Sequence, residues 1–306
     1  MTGANVLFDA PGPKARRRSL ILSIVGILVI AAGLWWMIAT LAAPRESSGG
    51  VVLPGFFDAT RWEPFTDPQT WSYIFVLGVW GTLRAALTAA VIALALGILF
   101  SLLRSSATPW VRIPTAVVLE FLRGMPVLLM MLFILLVLNT GSFWAVVAAL
   151  SLYNGALIGE ALRAGMASLP RGQREAGLSL GMRPLQSKRL IEFPQAFRQM
   201  LPIIVAQLVV LLKDTSLGYI VGYVELLRVN MNQLATYFGN YYLFSFFLVT
   251  LVLYLAMNLS LSWFARWLAR RTQRRTGRPQ GDVEDAQPAL LVADAEAEAE
   301  AGRHGR

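Results

Sequence analysis

The chain has 306 residues, 56% of them hydrophobic and only 15% charged, with a mean hydropathy of +0.56, whereas soluble domains carry about a quarter charged residues; the excess apolar surface requires lipid to cover it. Cysteine is absent and the one histidine, His304, lies in a polar tail, which excludes disulfides, thiolate nucleophiles, Cys-ligated metals, histidine acid–base catalysis and the H-E-x-x-H metal motif. The net charge of +9 is carried by basic residues at the ends of apolar segments, the pattern that orients membrane proteins and not that of a nucleic-acid surface.

Residues 1–19 are basic at Lys14, Arg16, Arg17 and Arg18 and precede an apolar run from Leu20 to Ala43. That run exceeds the roughly 7–15 residues of a signal-peptide core, so 20–43 is predicted as a retained transmembrane helix. Residues 44–70, rich in Pro, Gly, Ser and Trp, form an outer loop. Five further stretches, 74–103, 114–138, 143–165, 200–221 and 243–268, each supply the roughly 20 apolar residues that a crossing helix needs. Backbone groups in lipid must bond within their own segment, so these are helices. Residues 269–306 form a basic flank and an acidic tail ending in the low-complexity run Ala293 to Glu298, read as disordered. The fold class is therefore an all-α membrane protein with six transmembrane helices.

Orientation follows from arginine and lysine. With the N-terminus in the cytoplasm, the inner side holds the N-terminal cluster, Arg104, Arg112, a basic third loop and the flank from Arg266 to Arg278, whereas the outer side holds only Arg45, Arg61 and Arg228. Both termini are thus expected in the cytoplasm of a multi-pass cell-membrane protein.

The stretch from Glu160 to Pro202 is too polar to cross a bilayer and too patterned for a linker. Glu175 to Leu180 suits a short helix, and Gly181 is placed to end it in a left-handed turn. Pro184 permits a restart, and Pro194 and Pro202 bracket a second short segment before the next membrane helix. A rigid helix–turn–helix between two membrane helices can transmit force.

Glu175-Ala176, Gly181 five residues on, and then Ile191 and Pro194 resemble the E-A-A…G…I-x-L-P loop of bacterial ABC import permeases, with Gly177 in place of the second Ala and Phe193 in place of Leu. Gly81-Thr82-Leu83, Glu120 to Pro126, Pro170 to Ala176, Pro194-Gln195-Ala196 and Lys213 to Leu217 are similar to motifs of the polar amino acid branch, in order over about residues 71–268. The chain most resembles permeases of actinobacterial glutamate uptake systems. One departure is Ala206, where the branch often has Asn after its L-P.

The resemblance implies a five-helix permease core at 71–268 with one added N-terminal helix. It also implies a coupling loop, 166–199, in which Glu175, Ala176 and Gly181 dock on an ATPase. The implied partners are a separate ATP-binding ABC subunit, a second permease copy or paralogue, an extracytoplasmic solute-binding protein, an amino acid substrate and membrane lipid. No cofactor, metal or nucleic acid is implied. The chain lacks a phosphate-binding G-x-x-x-x-G-K-[ST] loop of its own and performs no covalent chemistry.

Charges at membrane depth cost about 2.5–3.5 kcal/mol each on insertion scales. Glu120 and Arg123, like Glu160 and Arg163, are spaced to neutralise each other on one helical face. Lys213 and Asp214 are adjacent and point to different faces. Arg84 lies about 20 Å into its helix with no acidic residue within helical reach, so it requires backbone carbonyls, another helix, a partner subunit or a substrate carboxylate. Arg84, Glu160, Lys213, Asp214, Thr215 and Ser216 are the candidate pathway residues, although Thr215 and Ser216 also suit close helix packing. An ion-driven secondary amino acid transporter is the alternative; it accommodates the buried charges but leaves the 170–202 loop without a purpose.

Overall fold

A computed structural model describes residues 12–46, 50 and 52–274. The acidic part of the tail predicted as disordered lies outside these residues. The described chain divides into two units, one of residues up to Val79 with Leu226–Val252, the other of Trp80–Glu225 with the residues from Leu253 on.

The first unit opens with α1, Pro13–Ala42, which starts on a proline whose missing N–H costs nothing there and buries none of its residues. A two-residue antiparallel ladder follows, β1 (Arg45–Glu46) against β2 (Val52–Leu53). A 3-10 helix at Ala59–Thr66 is capped by Asp58, whose carboxylate accepts from the Thr60 N–H at 2.9 Å and hydroxyl at 2.7 Å. The hydroxyl bond first, and then the N–H, hold that carboxyl below its usual range. Helix α2, Pro68–Ser72, is capped in the same way by Asp67 and leads into a π-type turn at Tyr73–Val79.

Arg61, counted in the sequence among the outer-side charges, is buried. Its guanidinium donates to the Pro54 carbonyl at 3.0 and 3.2 Å and to the Tyr241 carbonyl, and its plane lies over the rings of Phe56 and Tyr241. Five donors in a planar fork permit this many partners at once. Short helices α10 (Leu226–Arg228) and α11 (Ala235–Phe238) flank a π-type turn, and Asn230 there donates to the Thr250 hydroxyl at 2.7 Å.

The second unit is built on α3 (Trp80–Arg104), α4 (Pro109–Gly124), α5 (Val127–Val137), α6 (Ser142–Ala167), α7 (Arg171–Ser179), α8 (Pro184–Ser187) and α9 (Phe193–Asp214). The last helix, α12 (Leu243–Arg274), supplies its C-terminal portion to this unit. Among the described residues five helices are long and apolar enough to cross a membrane, or six if the bent pair α4 and α5 counts as one span. The sequence predicts a single helix over 114–138. The structure instead breaks it between Gly124 and Val127 with a bend of 102°. Pro126 disfavours helical dihedrals in the residue before it, and Met125 is extended, with φ −84° and ψ 130°.

Helices α3 and α6 pack along most of their lengths. The seam is built from small residues: Ala85, Ala89, Ala93, Gly97 and Ser101 of α3 repeat every fourth position and are buried, facing Ser151, Gly155 and Gly159 of α6. A Cβ at Gly97 would lie 2.6 Å from Ile158 Cγ2, and one at Gly159 would lie 2.9 Å from Phe100 Cβ and 3.1 Å from the Gly97 carbonyl. Lipid tails are as apolar as leucine, so contact and close approach, not water exclusion, hold such a pair. Gly159→Leu forces the helices apart, and overpacking of this kind costs about 1–3 kcal/mol. The variant is expected to melt earlier in mild detergent, whereas Gly26→Leu, where nothing lies within 4 Å, leaves the melt unchanged. Equal melts for both variants would mean the seam is not tight.

Candidate functional site

The loop read as a coupling element is a compact hairpin. Helix α7 ends in a paired turn in which the Met182 N–H reaches the Gly177 carbonyl at 3.2 Å and the Gly181 N–H reaches Leu178 at 3.0 Å. Gly181 takes φ +79°, as the sequence predicts for a left-handed stop. Pro184 then begins α8. The next helix does not pause at Pro194 as expected, because a π-type turn at Lys188–Glu192 runs directly into α9, with Pro194 in its first turn and Pro202 inside it.

Glu175 and Ala176 stand exposed on α7, and Gly177 is buried behind them. A Cβ at Gly177 would lie 2.9 Å from Ile191 Cδ1 and 3.0 Å from the Ser187 hydroxyl. That contact accounts for Gly where the resembled loop has Ala: the hairpin closes too tightly here for a methyl group. Side chains fasten the hairpin further. Gln195 donates to Gln173 at 3.3 Å, Ser187 to the buried Glu192 at 3.4 Å, and the Lys188 ammonium to the Ser105 carbonyl between α3 and α4.

At the other end of α6 a second group gathers. Arg84 is exposed, and its guanidinium lies 4.4 Å from the centre of the Phe143 ring. Phe143 leans on Tyr223, whose hydroxyl donates to the Gly81 carbonyl at 2.8 Å. The charges of Arg84 and Glu225 both act on this phenol through space. Glu225 is fully buried and accepts from the Tyr254 hydroxyl at 2.5 Å, with the Thr82 and Thr215 side chains beside that phenol. Sequence reasoning missed Glu225 and Tyr254. The available signal was a lone carboxylate between Val224 and Leu226, too apolar a setting for a surface acid.

The structure separates the remaining candidates. Glu160 binds Arg163 at 2.6 Å and Glu120 binds Arg123 at 3.4 Å, the pairings their spacing predicts. Glu160 lies 17 residues from Phe143 on the same helix, about 25 Å away, so it does not join the Arg84 group. Lys213 is exposed and Asp214 half-buried, and among the described residues they form no ion pair. Thr215 is buried and donates to the Leu212 carbonyl at 2.7 Å, and Ser216 donates to Lys213 at 2.8 Å. Gly218, just beyond, packs on Val146 and Tyr223, which places the 215–218 turn level with the Arg84 group. Ala206, the departure from the branch pattern, lines an apolar crevice of about 270 Å³ with Val209 on α9 and Ala265 on α12.

Residues 93–274 match the family described as the inner membrane component of binding-protein-dependent transport systems. The chain belongs to this family. It is a multi-pass membrane permease subunit, and permeases of this kind work with an ATPase and a substrate-binding protein. It is 41% identical, over 60% of its length and 73% of the relative's, to the glutamate transport system permease protein GluD of Corynebacterium glutamicum. It is 34% identical, over 48% of its length and 71% of the relative's, to the glutamate/aspartate import permease protein GltK of Escherichia coli. A crystal structure of an amino acid ABC transporter with histidines shares the fold at 25% identity and a TM-score of 0.61, over 70% of this chain and 98% of that one.

The Gly181 turn is testable without any transport assay. A β-branched residue resists a positive φ, so Gly181→Val should open the hairpin and speed tryptic cleavage after Lys188 and Arg189 several-fold in isolated membranes. Gly181→Asn, which tolerates the left-handed region, should cleave at the wild-type rate. Identical cleavage of all three proteins would show that the turn does not hold the hairpin.

Proposed function

We propose that this chain forms one half of the membrane pathway of an ATP-driven importer for acidic amino acids, glutamate and aspartate first among them. The observation that carries the reading is the hairpin at 170–192, exposed at Glu175 and Ala176 and fastened to the α3–α4 turn and to α9, in a chain of the permease family. An ion-driven carrier has no use for such an element. The substrate class is supported by the glutamate and aspartate named for the relatives, and by an exposed cation at membrane depth, Arg84.

In this reading both termini are cytoplasmic, 20–43 is an N-terminal addition, and 71–268 is the permease core. Glu175, Ala176 and Gly181 seat a separate ATPase through the 166–199 loop, and a second permease, a copy or a paralogue, completes the pathway. A solute-binding protein delivers the amino acid from outside. ATP binding closes the ATPase dimer, the hairpins move with it, the membrane helices open outward, and hydrolysis resets them. Arg84, with Lys213, Asp214 and Ser216 near the same end of the bundle, forms the candidate passage; Thr215 supports it from a buried position, and Glu160 serves as the partner of Arg163.

Glu175→Arg reverses charge on the docking face, far from Arg84. Uptake of labelled glutamate in cells carrying the cognate ATPase is expected to fall at least tenfold while the amount of permease in the membrane stays constant. Undiminished uptake would remove the hairpin from coupling and bring forward the ion-driven carrier.

Arg84→Gln removes the cation and keeps a shorter, neutral hydrogen-bonding side chain. A charged hydrogen bond contributes about 1.5–3 kcal/mol, so glutamate uptake should drop by one to two orders of magnitude at unchanged membrane level. Uptake equal to wild type would make Arg84 a packing residue of the Phe143 ring.

A further inference from the structure

A cavity of about 520 Å³ opens where the α3–α4 turn, the end of α6, α7 and the Lys188–Glu192 turn meet. Its lining includes five cations, Arg104, Arg112, Arg163, Arg174 and Lys188, and one carboxylate, Glu192. Arg163 is neutralised by Glu160, and Glu192 offsets one more charge, so five cations less two anions leave three positive charges in one concavity. Arg104, Arg112 and Arg174 make no ion pair among the described residues. Like charges gathered on four separate elements repel unless an anion sits among them.

The depth of the cavity identifies the anion. Arg104 ends one membrane helix and Arg112 lies in the first turn of the next. Two residues before Arg112, Trp110 is 88% exposed, with Val111 and Ile113 also exposed beside it. An exposed tryptophan among aliphatic residues at a helix end marks headgroup level. Basic pockets between membrane helices at that level suit phosphate headgroups, and arginine grips phosphate through two parallel hydrogen bonds. Glu175 and Ala176, the proposed ATPase seat, do not line the cavity.

We propose that this cavity binds the phosphate group of an anionic phospholipid, held by Arg104 and Arg112 with Arg174 closing over it from the coupling hairpin. The lipid thereby joins the hairpin to the α3–α4 turn in the way the Lys188 bond to Ser105 does. Assignment to the inner leaflet rests on the orientation proposed above; the binding itself does not.

The test uses the full-length chain without its ATPase, so that its failure and the failure of the transport reading are separate results. The purified chain is placed in nanodiscs holding equal phosphatidylglycerol and phosphatidylcholine and then extracted in mild detergent, and the retained lipid is counted by mass spectrometry. Wild type is expected to retain phosphatidylglycerol several-fold over phosphatidylcholine. The Arg104→Gln/Arg112→Gln variant should lose that enrichment, and Arg104→Lys/Arg112→Lys should keep most of it, each at an unchanged melting temperature. If the double glutamine variant melts early, Arg112→Gln alone, at an exposed position, takes its place. Equal enrichment in the glutamine variant overturns the proposal. Millimolar glycerol 3-phosphate separates the two phosphate sources: displacement of the lipid by the soluble ester, together with stabilisation of lipid-free wild type, reassigns the site to a soluble phosphate compound and overturns the lipid. If the cognate ATPase, added back afterwards, binds wild type but not the glutamine variant while lipid retention is intact, the cations belong to that partner and the proposal is overturned equally.

Discussion

The close approach of α3 to α6 is the constraint from which the geometry of the second unit follows. Water gives soluble helices a reason to associate that lipid does not give these. What remains is contact, and contact between backbones requires side chains no larger than a methyl or hydroxymethyl group at every crossing. The fourfold repeat from Ala85 to Ser101 meets that requirement on one side, and Ser151, Gly155 and Gly159 meet it on the other. Ser151 adds a hydrogen bond across the seam to the Ala89 carbonyl at 3.3 Å. With this pair fixed, both ends of α6 are fixed: Phe143 under Arg84 at one, Glu160 and Arg163 beside the coupling hairpin at the other.

Arg84 shows how magnitudes decide between readings. A cation over an aromatic face gains about 2 kcal/mol when desolvated, against an insertion cost of about 2.5–3.5 kcal/mol for a charge at membrane depth. The Phe143 ring therefore offsets much of the cost and leaves a remainder. On the proposed function an acidic substrate would supply what the ring does not, and the exposed guanidinium is open to receive one. Glu225 solves the opposite problem within the chain, since a buried carboxylate that accepts from Tyr254 has its acceptor demand met by protein. The two charges differ in availability, and on the proposed function that difference separates a binding group from a structural one.

The sequence alone revealed the helices, the hairpin, the left-handed stop at Gly181 and the two ion pairs spaced at i,i+3, because each depends on residues within a few positions of one another. It did not reveal the bend at Met125, because the run from 114 to 138 is apolar throughout and hydropathy is blind to direction; Pro126 was the local cue. Arg61 was counted among the outer-side charges, and Glu225 was missed, for a related reason. Their burial depends on partners that are distant in sequence, Tyr241 and Tyr254, and no periodicity records those pairings. Gly177 stood as an unexplained departure from the resembled loop until Ile191 and Ser187 were seen packed against it.

The hairpin and the Arg84 group lie at opposite ends of the bundle, and the helical path from Pro184 to Tyr219 connects them in one piece of 36 residues. At helical rise that is about 50 Å of rod. Its near end is locked to α7 through Gln195 and Gln173, and its far end carries Lys213, Asp214 and the turn packed on Val146 and Tyr223. On the proposed mechanism a displacement imposed at Glu175 need not pass through a relay of loosely coupled side chains, because a rod gripped at one end moves at the other. A break at Pro194, which the sequence predicted, would have dissipated that motion between two short segments. The π-type turn at Lys188–Glu192 keeps the backbone bonded through this region. Continuity of the backbone, more than any single contact, gives a docking event on the hairpin mechanical access to the end of the bundle where the substrate is proposed to pass.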